Sequence, residues 1–259
     1  MDFASLSLGQ YVPTGSPIHR LDPRAKLVSL LCLVSWAFAA DGLASSACRV
    51  AALAALVASA RLSWRAVLRS MRPMFFLAAF ALIFNAVSLL WDGGTILRAV
   101  SRGGLVALRL LILMGFAVLL PLTTAPLELA DGIEALLRPL SRLGFPAHEC
   151  GMMAGMALRF IPLLMEETDR VVRAQLSRGA RLDQGGPVRR LLAFIPVLIP
   201  LFVIIFRRAD DMALAMEARG YRGGEGRTRM RPLEWKRADG LAVCLCAGVS
   251  AASLVMRAL

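Results

Sequence analysis

Lysine is nearly absent from this chain: Lys26 and Lys236 are the only two among 30 basic residues. A P-loop needs Gly-Lys before Ser or Thr so that backbone amides and an ammonium converge on phosphate. Lys26 follows Ala25 and Lys236 follows Trp235, so ATP hydrolysis by that route is excluded and no enzyme is expected. Histidine is as scarce. His19 and His148 lie far apart, and the adjacent residues of His148-Glu149-Cys150 point in different directions on a helix, which argues against a metal site and against any cofactor. The other cysteines, Cys32, Cys48, Cys244 and Cys246, lack the paired spacing of a disulfide framework and read as small residues of apolar helices. Aromatics make up 7% of the chain, too few for a base-stacking surface, and no nucleic-acid-binding module is recognisable. Residues 1–26 contain Asp2, Pro13, Pro17 and His19 without an apolar core, so no cleaved signal peptide is expected there.

What is abundant is apolar surface and arginine. A hydrophobic content of 58%, a net charge of +12 and a mean hydropathy of +0.64 exceed what a soluble domain carries and define a multispanning membrane protein. Basicity in such a chain follows from the retention of Arg-rich loops in the cytoplasm. Apolar runs at 27–40, 43–60, 73–91, 105–122 and 240–256 approach the roughly 17 to 25 residues that cross the hydrocarbon. The first is short, and Arg24 and Lys26 are expected to complete it by snorkelling. Arg20, Arg24 and Lys26 before the first run, and Arg61, Arg65, Arg69 and Arg72 before the third, place both segments in the cytoplasm. The opposite loops, at Asp41-Gly42 and over 91–104, carry less net positive charge.

The expected organisation is a cytoplasmic N-terminal segment (1–26), a four-helix membrane region (27–125), a long cytoplasmic or interfacial helical region (126–238) and a C-terminal span (239–259). Hydropathy would also allow spans at 150–164 and 191–206. Crossing there would strand Arg170, Arg173, Arg178, Arg181, Arg189 and Arg190 outside against four acids, so these stretches read instead as apolar halves of long surface helices, bent at Pro162, Pro196 and Pro200.

The polar third of the chain writes one helix ending twice. Ala174 to Gly179 reads AQLSRG and Ala215 to Gly220 reads AMEARG, 41 residues apart, with Asp169 and Asp210 each nine residues before the arginine. Glycine past a last helical turn is a common left-handed cap, and arginine there meets the negative end of the helix dipole. A second reading gives the pair a partner. Ala174 and Ala215 stand four residues before Arg178 and Arg219 on the same helical face, so each tip offers a small residue beside a guanidinium that fits carboxylates or carbonyls on another protein.

Near the start, His19-Arg20-Leu21-Asp22-Pro23-Arg24-Ala25-Lys26-Leu27 reads as Asp22 capping a helix with Pro23 in its first turn. The same segment, preceded by Gly9-Gln10-Tyr11, Pro13 and Ser16-Pro17, resembles the opening of the transmembrane T components of energy-coupling factor transporters. The resemblance covers nearly the whole chain, since ALRFIPLLMEE (Ala157 to Glu167) and both Arg-Gly endings follow in the family's order. It implies an all-α integral membrane protein of about five transmembrane helices plus long cytoplasmic or interfacial coupling helices. It further implies a bacterial or archaeal cell membrane, two cytoplasmic ATPases of the ATP-binding-cassette class, and a small membrane substrate-binding (S) subunit for vitamin or metal uptake. Ser177-Arg178-Gly179 and Ala218-Arg219-Gly220 then occupy the family's ATPase-docking positions, with Ala174 and Ala215 in support. The Tyr11 region is more similar to modules shared among several S subunits than to dedicated cobalt or nickel ones. Met152, Met153, Gly155 and Met156, with Pro196 and Pro200, would supply a soft apolar partner surface or ordinary lipid contact.

Two charges fall inside the apolar runs, Arg49 and Arg109. Such a cation marks a pathway, a partner or a snorkelling side chain. The alternative function is a self-contained secondary transporter that holds an anion at Arg109, although inverted repeats and intramembrane acids for ion coupling are missing.

Overall fold

Asp22 starts the first helix. Its Oδ1 accepts the Arg24 N–H at 2.9 Å, and Pro23 occupies the first helical position, where an N–H would have no partner. This computed structural model describes residues 14–39, 42–91, 95–180, 186–223 and 233–258; Gly9, Gln10, Tyr11 and Pro13 of the N-terminal signature lie outside them. The described residues contain helices and turns and no strand. They divide into two compact units, residues 9–136 with 231–259, and residues 137–230.

The first unit holds α1 (Pro23–Ala39), α2 (Leu43–Ser59), α3 (Trp64–Trp91), α4 (Ile96–Thr123), α5 (Pro126–Leu137, its last residue beyond the boundary) and α9 (Arg237–Ala258). Within α3 and α4, the stretches Trp64–Ser88 and Val100–Thr123 are long and apolar enough to cross a membrane, and Ala44–Ser59 is a shorter apolar helix. Both long helices begin earlier than the hydropathy pattern indicates. Arg65, Arg69 and Arg72 belong to α3, and Arg98 and Arg102 to α4, so the expected 91–104 loop is helical from Ile96 onward. Hydropathy finds only the oily part of a helix, and arginine propagates a helix almost as well as leucine.

Helix α4 is the spine of this unit. It runs beside α3 so closely that a Cβ on Gly103 would sit 3.0 Å from the Leu82 carbonyl oxygen. Its other side meets α1 and α2, where Trp36 stacks on Phe116 with centroids 6.4 Å apart and Ile112 completes the cluster. Lipid tails are as apolar as these side chains, so close packing and hydrogen bonds hold the helices together more than the hydrophobic effect does. Helix α9 lies along α1, where the Ser250 hydroxyl donates to the Cys32 carbonyl. The outer face of α3 exposes Phe76, Phe80 and Phe84, one turn apart, as a lipid-facing stripe would.

The second unit contains a 3-10 turn (Arg138–Leu143), α6 (Ala147–Ser177), α7 (Pro187–Ala193) and α8 (Ile195–Ala218). Helix α6 runs unbroken through Pro162. The apolar stretch 191–206, expected as one bent helix, is instead interrupted at Phe194, and Pro196 falls in the first turn of α8. A proline there loses no intrahelical bond, which makes that position cheaper than a mid-helix bend.

Candidate functional site

The two Arg-Gly endings close their helices identically. At the end of α6 the Gly179 N–H reaches the Leu176 carbonyl at 3.0 Å and the Ala180 N–H reaches Gln175 at 3.0 Å. At the end of α8 the Gly220 N–H reaches Glu217 at 2.8 Å and the Tyr221 N–H reaches Met216 at 3.0 Å. These are two copies of the Schellman motif, in which the residue past the cap turns left-handed and the next two N–H groups satisfy the last carbonyls. Gly179 and Gly220 have φ of 84° and 70°, where a Cβ is strained. Nothing else would obstruct a Cβ at either glycine, since no atom lies within 4 Å of it. The glycines therefore serve the turn and not packing inside this unit.

Arg178 and Arg219 are the cap residues themselves, with φ/ψ of −84°/4° and −87°/7°. Their side chains are exposed, as are those of Ala174, Ser177, Ala215 and Ala218. Neither arginine takes part in the ion pairs among the described residues. Each tip thus exposes an arginine together with the small residues one and four positions before it.

The helices that carry the tips also cross at matching positions. Leu163, Leu164 and Glu167 of α6 line one small cleft with Ile204, Ile205 and Arg208 of α8, and each pair differs by the same 41 residues as the two endings. Glu167 holds Arg208 at 3.9 Å and Arg170 at 3.2 Å. Both arginine tips therefore stand eleven residues beyond the crossing, about 16 Å along each helix. Sequence reading found the endings and missed the crossing, although the 41-residue offset that marks it was legible.

The N-terminal signature does different work. Lys26 does not snorkel; it is buried, and its Nζ donates to the carbonyls of His19 (3.2 Å) and Thr123 (2.9 Å) and to Thr124 Oγ1 (3.2 Å). The end of α4 leaves carbonyls without helical partners, and the ammonium fills that vacancy better than it would reach for water. Asp239, also buried, accepts the Asp22 N–H at 2.8 Å and the Lys236 N–H at 2.7 Å, tying the start of α1 to the start of α9. His19 Nδ1 lies 2.7 Å from Ser16 Oγ, and Arg24 Nε stands 3.9 Å from Asp22 Oδ1. Arg20 and Leu21 form the turn into Asp22, their N–H groups reaching Pro17 (3.2 Å) and Ile18 (3.3 Å). On the far side, Gly132 of α5 lies so close that an added Cβ would be 2.8 Å from the Pro23 Cβ. The signature is a polar knot where four helices meet, and only Asp22 in it was readable as a cap.

Arg49 is buried as well, at 1% exposure, with its Nη1 on the Ala37 carbonyl at 2.6 Å and its Nε on the Ser45 carbonyl at 3.1 Å. It ties the last carbonyls of α1 to the start of α2. Arg109 lies half-buried in α4.

Two membrane-length helices within a packed helical bundle, and no strand among the described residues, define an all-α membrane protein. The chain belongs to the CbiQ family, described as "Cobalt transport protein", whose model matches residues 14–230. Among its relatives is the "Energy-coupling factor transporter transmembrane protein EcfT" of Thermanaerovibrio acidaminovorans, 52% identical over 262 residues, 96% of this chain and 95% of that one. Proteins with the same name from Acidaminococcus fermentans (44% identical, 91% of each chain) and Bacillus subtilis (39% identical, 91% of this chain and 92% of that one) are similar along the same length.

Proposed function

We propose that this chain is the transmembrane T component of an energy-coupling factor transporter in a bacterial cell membrane, joining two cytoplasmic ATPases to a substrate-binding S subunit. The observation that carries the reading is the pair of helix endings with matching backbone hydrogen bonds, Ser177-Arg178-Gly179 and Ala218-Arg219-Gly220, each eleven residues beyond the place where the two helices meet. A duplicated tip suits a duplicated partner. ATP binding draws the two ATPases together, the docked Arg178 and Arg219 tips follow, and motion about the crossing reshapes the surface offered to the S subunit.

The same reading sets α1 to α4 and α9 across the membrane and leaves 126–238 on the cytoplasmic face. The starts of α1, α3 and α9 and the ends of α2 and α4 fall at one end of an alternating bundle, where Arg20, Arg24, Arg61, Arg65 and Arg69 also gather. An autonomous carrier holding an anion at Arg109 fits less well, because the sequence lacks inverted repeats and intramembrane acids for ion coupling.

Reconstitution tests the proposal. Liposomes holding this chain alone should neither transport nor hydrolyse ATP, whereas addition of both ATPases and an S subunit should start uptake. Substrate movement by the lone chain under an ion gradient would establish the secondary-transporter reading in its place.

A further inference from the structure

At the knotted end of the bundle lies an open depression of about 400 Å³, lined by Pro17 and Arg20 of the N-terminal segment, Arg61 after α2, and Lys236, Ala238 and Asp239 at the start of α9. Three cations face it against one acid. Asp239 is buried, with both carboxylate oxygens on backbone N–H groups, while Arg20, Arg61 and Lys236 are exposed and enter none of the ion pairs among the described residues.

Arg61 carries a second, independent sign. Helix α2 ends in the same double closure as α6 and α8, the Arg61 N–H on Ala58 at 3.0 Å and the Leu62 N–H on Val57 at 3.3 Å. Where the other two closures have glycine, this one holds arginine at φ 52°, the single non-glycine residue of positive φ among those described. Left-handed backbone strains any residue with a Cβ, and such strain persists where the side chain is needed. Glycine would suit the turn better, so what the position gains is a guanidinium at the rim of the depression.

The lining also has an apolar continuation. Ala238 shares a helical face with Leu241, Leu245 and Val249, all exposed, at spacings of three and four along α9. A phosphate with acyl chains attached could sit on the cations and lay a chain along that face; free phosphate would use the head alone.

We infer that Arg20, Arg61 and Lys236 form a binding site for the phosphate headgroup of an anionic phospholipid, its acyl chain lying on Leu241, Leu245 and Val249. The site rests on the membrane placement proposed above and not on ATPase docking, so failure of either leaves the other standing. An inner-leaflet headgroup held here would lock the N-terminal segment, the end of α2 and the start of α9 to one another and to the bilayer surface.

The test is native mass spectrometry of the full chain released from nanodiscs of phosphatidylcholine doped with phosphatidylglycerol. The wild type should retain phosphatidylglycerol over phosphatidylcholine. Arg61→Gly should weaken retention about fivefold, and the triple variant Arg20→Gln, Arg61→Gly, Lys236→Gln on the order of a hundredfold, since each cation near an anionic surface contributes roughly a factor of five. The melting temperature of Arg61→Gly in phosphatidylcholine alone should hold or rise, because glycine takes the turn without strain. Equal retention of both lipids by the wild type, or unchanged phosphatidylglycerol retention by the triple variant, would overturn the site. Stabilisation of the wild type but not the triple variant by millimolar inorganic phosphate, with no lipid retained, would overturn the lipid assignment in favour of a soluble anion.

Discussion

Replacing Arg178 or Arg219 with Ala separates the two roles a capping arginine can have. The bonds that close each helix end are backbone bonds, from the N–H groups of residues 178–180 and 219–221, and alanine keeps all of them. The side chains are exposed, so the fold loses at most the interaction of a cation with the helix dipole, about 0.3 to 1 kcal/mol. A guanidinium buried in a charge pair at an ATPase surface is a different matter: its truncation costs roughly 2 to 5 kcal/mol, or about thirty- to four-thousandfold in affinity. The measurement is a titration of the ATPase pair onto the chain in nanodiscs, with a thermal melt of the same sample. Each single variant should bind far more weakly with a nearly unchanged melt, and the double variant should bring down no ATPase while still holding the S subunit. Lysine should rescue in part, keeping charge without the planar fork. Normal ATPase binding by both alanine variants, or a binding loss that merely tracks a lowered melting temperature, would refute the reasoning and return both endings to simple caps.

The polar knot should be the most sensitive point of the fold. Lys26→Met leaves the His19 and Thr123 carbonyls without their donor and should cost about 1 to 3 kcal/mol, read as a drop in detergent melting temperature. Gly132→Ala should destabilise by about 1 to 3 kcal/mol in the same assay, because its Cβ would meet Pro23. Arg208→Glu, which sets a second carboxylate against Glu167, should lower the melt by up to about 1 kcal/mol, a modest effect because Arg208 is 47% exposed. Single cysteines at Ser177 and Arg222, in a background free of native cysteines, should both resist an impermeant thiol reagent in intact cells; labelling of Ser177 alone would favour two further spans.

Local chemistry made part of this protein legible without coordinates. An Asp before a Pro at the head of an apolar run specifies a helix start, and an Arg-Gly after a helical stretch specifies a left-handed end, because each acts on backbone groups one turn away. Class was legible for the same reason, since solvent preference depends on composition. Helix limits were less so: Arg65 and Arg102 are helical though not apolar, and Pro196 starts a helix it was expected to bend.

Pairings between distant segments belong to the tertiary structure. Lys26 meets Thr123, Asp22 meets Asp239, and Arg49 meets Ala37, because folding brings unsatisfied carbonyls and N–H groups of helix ends next to charges that can fill them. The sequence by itself determined that two Arg-Gly helix endings exist and that much of the chain is apolar enough for a membrane. Only the packing decided that equivalent residues of α6 and α8 meet, so that both tips stand equally far from one crossing, and that Arg61 is held in a strained turn beside two other cations.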